Sequence, residues 1–183
     1  MKIGTVVSLD ETEQEVVRSI AQKRYDSSIK NNLQDTRPGI CDPFIADLEG
    51  FAAEFAFCKM ANCFPDFIIG VHAAKNDKGD CIYNGYSIDV KTTKNPYNGL
   101  IVKPWKKGKV DAFASFTGVF PNYIFRGFCP AFSVFVAANL KEIFGKKNYI
   151  IHHSRLMNEH TFLETMKFDA ELNWYFSHKE QAI

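Results

Sequence analysis

The sequence predicts a single α/β domain, a mixed β-sheet flanked by helices, and three observations carry that prediction. The 183 residues suffice for one sizeable core and give no reason for a second domain. Two early segments, 10–25 and 44–62, repeat apolar residues at helical spacing. From residue 81 to 151 the chain turns instead to β-branched and aromatic runs punctuated by Asn-Gly, Asn-Pro and Pro-Asn. At 46% hydrophobic and 23% charged residues the composition is that of a folded globular chain, and a net charge of +1 requires any basic surface to be local.

Residues 10–25 read as a helix with Asp10 or Thr12 as N-cap, acids in the first turn, and Val16, Val17, Ile20 and Ala21 buried. From Asp26 to Pro43 the composition shifts to Ser, Asn, Asp, Gly and Pro, an irregular connection in which Arg37 reads as a solvated loop residue. The second helix, 44–62, buries Phe44, Leu48, Phe51, Ala52 and Phe55. It is so rich in Ala, Gly and Phe that Glu54 stands out, because a buried acid is costly unless paired or bound to a cation. His72, beside an apolar run, reads as structural.

Asn84-Gly85 is a strong hairpin signal, since a two-residue type I′ turn needs positive φ at both positions. Counting back from that turn pairs Tyr83 with Tyr86, Cys81 with Ile88 and Asp80 with Asp89. Opposed aspartates have Cβ atoms roughly 4.5–5.5 Å apart and repel, so they call for a cation between them or a shared proton. Magnesium suits such a site, being hard and commonly held by one or two carboxylates with water and phosphate. Lys91 follows Asp89 on the same strand face. Asp66, in the Pro65-Asp66-Phe67 run, is the competing acid, but the hairpin count selects Asp80.

Beyond the hairpin, 100–103, 112–119, 122–128 and 148–151 read as strands, 134–144 as a helix ending at Gly145, and the tail from 158 as a helix or a loop with a short strand. Trp174, Tyr175 and Phe176 are its expected packing residues. Between Val90 and Val110 there is no acid, whereas Lys91, Lys94, Lys103, Lys106, Lys107 and Lys109 accumulate with Tyr97 and Trp105. Lys94, Lys103, Lys106 and Lys107 are therefore candidates for phosphate contact, against the alternative of a solvated turn. Arg126 either holds substrate phosphate or pairs with a core acid. The cysteines, Cys41, Cys58, Cys63, Cys81 and Cys129, form no C-x-x-C pair and read as reduced thiols of a cytoplasmic protein rather than a disulfide or zinc framework. No stretch has the length and apolarity of a membrane span.

An acid on one strand followed by acid-x-Lys on the next, here Asp80 and then Asp89-Val90-Lys91, resembles the active centre of the PD-(D/E)xK nuclease superfamily. Gly79 stands where the proline of that motif would be. A narrower similarity, to phage and prophage proteins with a nuclease-like core, runs through Gly50, Glu54 and Ala56, LIVKP at 100–104, Thr117-Gly118 and YIFRGF at 123–128. The resemblance implies a restriction-endonuclease-like fold with its core at about 44–152, an N-terminal helix and loop at 1–43, and a C-terminal extension at 153–183. It implies Mg²⁺, with Mn²⁺ as a substitute, held by Asp80, Asp89, the Val90 carbonyl and Glu54, with Lys91 orienting or deprotonating the attacking water. Against that role, Glu54 has the plainer reading of a backbone cap or a lysine partner. The expected activity is hydrolysis of nucleic acid, DNA before RNA, in the cytoplasm, that of a host cell if the chain is phage-encoded, with a homodimer or a host-protein partner as further expectations. The alternative is an inactive nuclease-fold protein that binds nucleic acid or a host protein.

Overall fold

Asp10 opens the first helix. Its carboxylate accepts the Glu13 N–H at 2.9 Å while the Glu13 carboxylate accepts the Asp10 N–H at 2.8 Å, a reciprocal capping box that fixes the start of α1 (Glu11–Lys30). The structure, a computed structural model, describes residues 1–31, 42–69, 79–143 and 145–179, with side chains through 175. Arg37, Cys41 and His72 lie outside the described residues. Helix α1 runs five residues further than the periodicity predicts and buries Val17 and Ala21, whereas Val16 is exposed. Helix α2 (Pro43–Ala61) begins with Asp42 accepting the Phe44 N–H at 2.9 Å and with proline at its first position, where a missing N–H costs nothing. It ends at Asn62, whose left-handed φ of 51° reverses the chain.

Among the described residues, eight strands form two sheets. The first has the order β1-β6-β5-β3-β2, with β1 at Val6–Ser8, β2 at Cys81–Tyr83, β3 at Tyr86–Thr93, β5 at Ala112–Val119 and β6 at Asn122–Pro130. Only β3 and β5 are parallel, so this sheet is mixed. The second is antiparallel, β4-β8-β7, from Leu100–Val102, Lys146–Ile151 and Leu140–Ile143. A four-residue helix α3 (Ala131–Val134) leaves β6, and α4 (Glu159–Lys179) is the last element described.

Strand alternation divides the core in two. Ile88, Val90, Ala112, Ala114 and Phe116 face α2, packing with Phe51, Ala52, Ala56 and Phe57. Phe113 and Cys129 join Leu100, Val102, Val134 and Ile151 on the side of the second sheet. Phe57, Phe128 and Phe162 form a run of rings at 5.9 and 4.4 Å, binding α4 into the α2 side of the core.

Two expectations are corrected. Residues 134–144 are not a helix: after Val134 the chain makes a 3₁₀ turn at Ala137–Asn139 and enters β7. The buried Asn139 side chain donates to the Ser133 and Val134 carbonyls at 2.8 and 2.9 Å, capturing acceptors that a continuing helix would need. Trp174 and Tyr175 are exposed on α4, whose buried positions are Phe162 and Met166; Phe176 is outside the described side chains.

Candidate functional site

The hairpin folds as counted through three pairs, Tyr83 with Tyr86, Ile82 with Ser87 and Cys81 with Ile88, about a turn at Asn84 and Gly85 with φ of 49° and 84°. The fourth pair does not form. Asp80 turns its own N–H onto the Ile88 carbonyl at 2.7 Å, and its carboxylate accepts the Val90 N–H at 2.6 Å. Asp80 thus caps the edge of β3 instead of opposing Asp89. Residues two apart on a strand present their backbone groups to the same side, so the Val90 carbonyl shares the edge that Asp80 occupies. Asp66 lies alongside, its N–H on the Asp80 carbonyl at 3.2 Å, but its carboxylate is turned onto the Ile68 N–H at 2.8 Å.

Asp89 is in register with Phe113 and is fully buried toward the second sheet. Two ammonium groups reach it. Lys91 pairs with Oδ1, and Lys106, from the 3₁₀ turn Pro104–Lys106, pairs with Oδ2. The Lys106 contact is close but misaligned for a hydrogen bond, leaving Oδ2 without an aligned donor among the described residues. Lys106 is therefore corrected from a surface phosphate contact to a buried counter-ion. Lys91 Nζ also lies 3.4 Å from the Val90 carbonyl.

Glu54 comes from α2, and Arg24 of α1 donates to it at 2.9 Å while also holding the Asp66 carbonyl at 2.7 Å. Burial, and next the negative charge of Asp80, push the Glu54 carboxyl up to about 8, with Arg24 and Lys91 pulling against them. Glu54, Lys91 and Arg24 line one cleft of about 480 Å³ with Gly50, Val90 and Lys94. Lys91 thus links the two sides, reaching Asp89 and the Val90 carbonyl while its charge, with those of Asp80 and Arg24, acts on Glu54. Asp80, the Val90 carbonyl and Glu54 are oxygen donors of the kind a hard divalent cation such as Mg²⁺ takes, whereas both Asp89 oxygens face ammonium groups.

One member of this cluster, Arg24, escaped the sequence reading, and Lys106 was expected in another role. Arg24 sits on a helix with no evident chemistry, and its only signal was a buried acid in need of a partner thirty residues on. Lys106 carried no signal separating it from its neighbours. Of the remaining basic candidates, Lys107 is exposed, Lys103 half-buried, and Lys94 exposed while pairing with Glu49 at 3.5 Å. Trp105 and Tyr97 are exposed beside them. Arg126 occupies the bulge where Ser115 pairs with Gly127 but Phe116 with Phe125. Its buried Nε has no hydrogen-bond partner among the described residues, and its charge helps hold the His153 pKa below the ordinary value, after burial.

Compared with family models, curated proteins and solved structures, the chain matches none. No helix among the described residues is long and apolar enough to cross a membrane.

Proposed function

We propose that the chain is a metal-dependent nuclease hydrolysing phosphodiester bonds, with DNA as the favoured substrate. The observation that carries this reading is the run of contacts along β3 in which Asp80 takes the Val90 N–H, Lys91 spans Asp89 and the Val90 carbonyl, and the charges of Asp80 and Lys91 act on Glu54. Asp80, Asp89, the Val90 carbonyl and Glu54 would hold Mg²⁺ or Mn²⁺, which when bound supplies Lewis-acid polarisation of the scissile phosphate and stabilises the developing charge. Lys91, adjacent to both Asp89 and the Val90 carbonyl, is positioned to orient the attacking water and to release or accept its proton at Nζ. Arg24 fixes Glu54 and tethers the Asp66 segment beside Asp80. Lys94 and Lys107 offer exposed positive charge for the phosphate backbone.

A second reading has its own observation. Every acid here already has a protein partner: Arg24 on Glu54, a backbone N–H on Asp80, and two lysines on Asp89. A self-neutralised cluster also suits a nuclease-fold protein that binds nucleic acid or a host protein without cutting.

The deciding experiment incubates linear, circular, single-stranded and branched DNA, and RNA, with the protein in Mg²⁺, Mn²⁺ or EDTA, alongside Lys91→Ala. Metal-dependent cutting that the variant loses is expected. Absence of cutting of every substrate, by protein shown to be folded, supports the binding reading instead.

A further inference from the structure

We propose that Cys58, Cys63 and Cys81 form a binding site for one thiophilic metal ion, zinc foremost. Their sulfur atoms all lie within 4.8 Å of one another. In a tetrahedral zinc site, Zn–S bonds of about 2.3 Å put sulfurs roughly 3.8 Å apart, so the three close onto an ion by less than about 1 Å of movement each. The proposal is independent of the nuclease reading and concerns a different class of ion, since thiolates select soft metals while the carboxylates of the β3 edge select hard ones.

Three separate local structures bring the sulfurs together. Cys58 sits in the last turn of α2. The left-handed Asn62 then reverses the chain so that both the Asn62 and Cys63 N–H groups donate to the Cys58 carbonyl, the Cys63 bond at 3.0 Å, which folds Cys63 back over the helix end. Cys81 arrives from β2, whose register with β3 is fixed by the Asn84-Gly85 turn. A buried cysteine by itself is a small apolar side chain, and Cys129 in the other half of the core is an instance. What distinguishes the cluster is convergence from a helix, a reversal and a strand, together with access: Cys58 and Cys81 are buried, whereas Cys63 is half-buried and opens the site to an incoming ion and to a water as fourth ligand. The sequence concealed this, because spacings of five and eighteen residues follow no zinc-motif pattern.

The ion would join the end of α2 to β2. Glu54 lies one turn before Cys58 and Asp80 immediately before Cys81, so the same linkage braces the two acids without touching them. Coordination replaces S–H by S–metal bonds, and the displaced protons pass to the buffer with no change of oxidation state.

The test uses the full chain, reduced, freed of metal by a chelator and then titrated with Co²⁺ followed by Zn²⁺. Expected are saturation at one Co²⁺ per chain with a sulfur-to-cobalt charge-transfer band, displacement by Zn²⁺, and indifference to a large excess of Mg²⁺. Cys63→Ser, at the half-buried position, loses the band while its circular dichroism stays that of the parent, and Cys129→Ser keeps it. Absence of a charge-transfer band in the folded parent overturns the proposal. So does a band that survives Cys63→Ser, or a disulfide formed among the three in place of metal uptake.

Discussion

Replacing Asp89 with asparagine keeps the shape of the side chain but removes the negative charge between two ammonium groups. The Lys106 side chain is 9% exposed and Asp89 fully buried, so this pair has little solvent screening, whereas Lys91, at 32% exposed, retains part of its hydration. At contact distance and an effective dielectric of about 20, one such pair is worth roughly 4 kcal/mol, and breaking a buried pair from one side typically costs about 3–5 kcal/mol. Asp89→Asn should therefore lower the unfolding free energy by about 3 kcal/mol or more. The same change in a Lys106→Met background should cost about 1 kcal/mol, because the buried cation is gone. Urea denaturation in EDTA reads this directly, with shifted midpoints at constant m. Single and double variants whose effects add to within about 0.5 kcal/mol would refute the buried pair. The result also governs the activity test: an Asp89 variant loses stability along with the proposed ligand, while Lys91→Ala leaves Asp89 and Lys106 in contact.

The Glu54 carboxyl makes stability pH-dependent in the metal-free protein. Its folded pKa of about 8 lies above its ordinary 4.5, so the native state holds its proton more tightly, and stability falls as pH rises through that window. The full interval corresponds to an upper limit of about 5 kcal/mol, and Glu54→Gln should flatten the decline in a series of thermal melts from pH 4 to 9. Arg24→Ala should move the upper inflection to higher pH, since the guanidinium is one of the charges holding that carboxyl down; an inflection that moves to lower pH contradicts the pairing. Gly50 lies inside α2, and an added Cβ there would meet nothing within 4 Å. Gly50→Ala should thus stabilise the fold by about 0.5–1 kcal/mol in denaturant melts. Because Gly50 lines the cleft, a simultaneous loss of cleavage would identify its role as room for substrate.

What the sequence made legible was local. The Asn84-Gly85 turn set the hairpin register, and the caps and apolar periodicity located both early helices. What it did not carry was the competition between local pairing and more distant groups. Hairpin counting put Asp80 opposite Asp89, but the Ile88 carbonyl and the Val90 N–H claim Asp80 first. The apolar spacing of 134–144 satisfies a helix template until Asn139 takes the carbonyls of Ser133 and Val134. Lys106 looked like its neighbours in composition, and only the folding of the 3₁₀ turn over β3 distinguishes it. The acid-x-Lys pattern thus located the β3 edge, and its counter-ions became visible only through tertiary contacts.

The pairing of β1 with β6 bears on how the molecule is made. Val6 lies opposite Ile124, and the bond from the Phe125 N–H to the Thr5 carbonyl, at 2.9 Å, continues that seam. As the ribosome extends the chain, the first strand has no neighbour until the sixth has emerged, and Phe162 must follow before the ring stack is complete. Closing such a large loop is slow, and an unpaired edge is exposed meanwhile. This fold should therefore form cooperatively and only after Phe162 has emerged, with α1 and α2 formed first and the outer strand last.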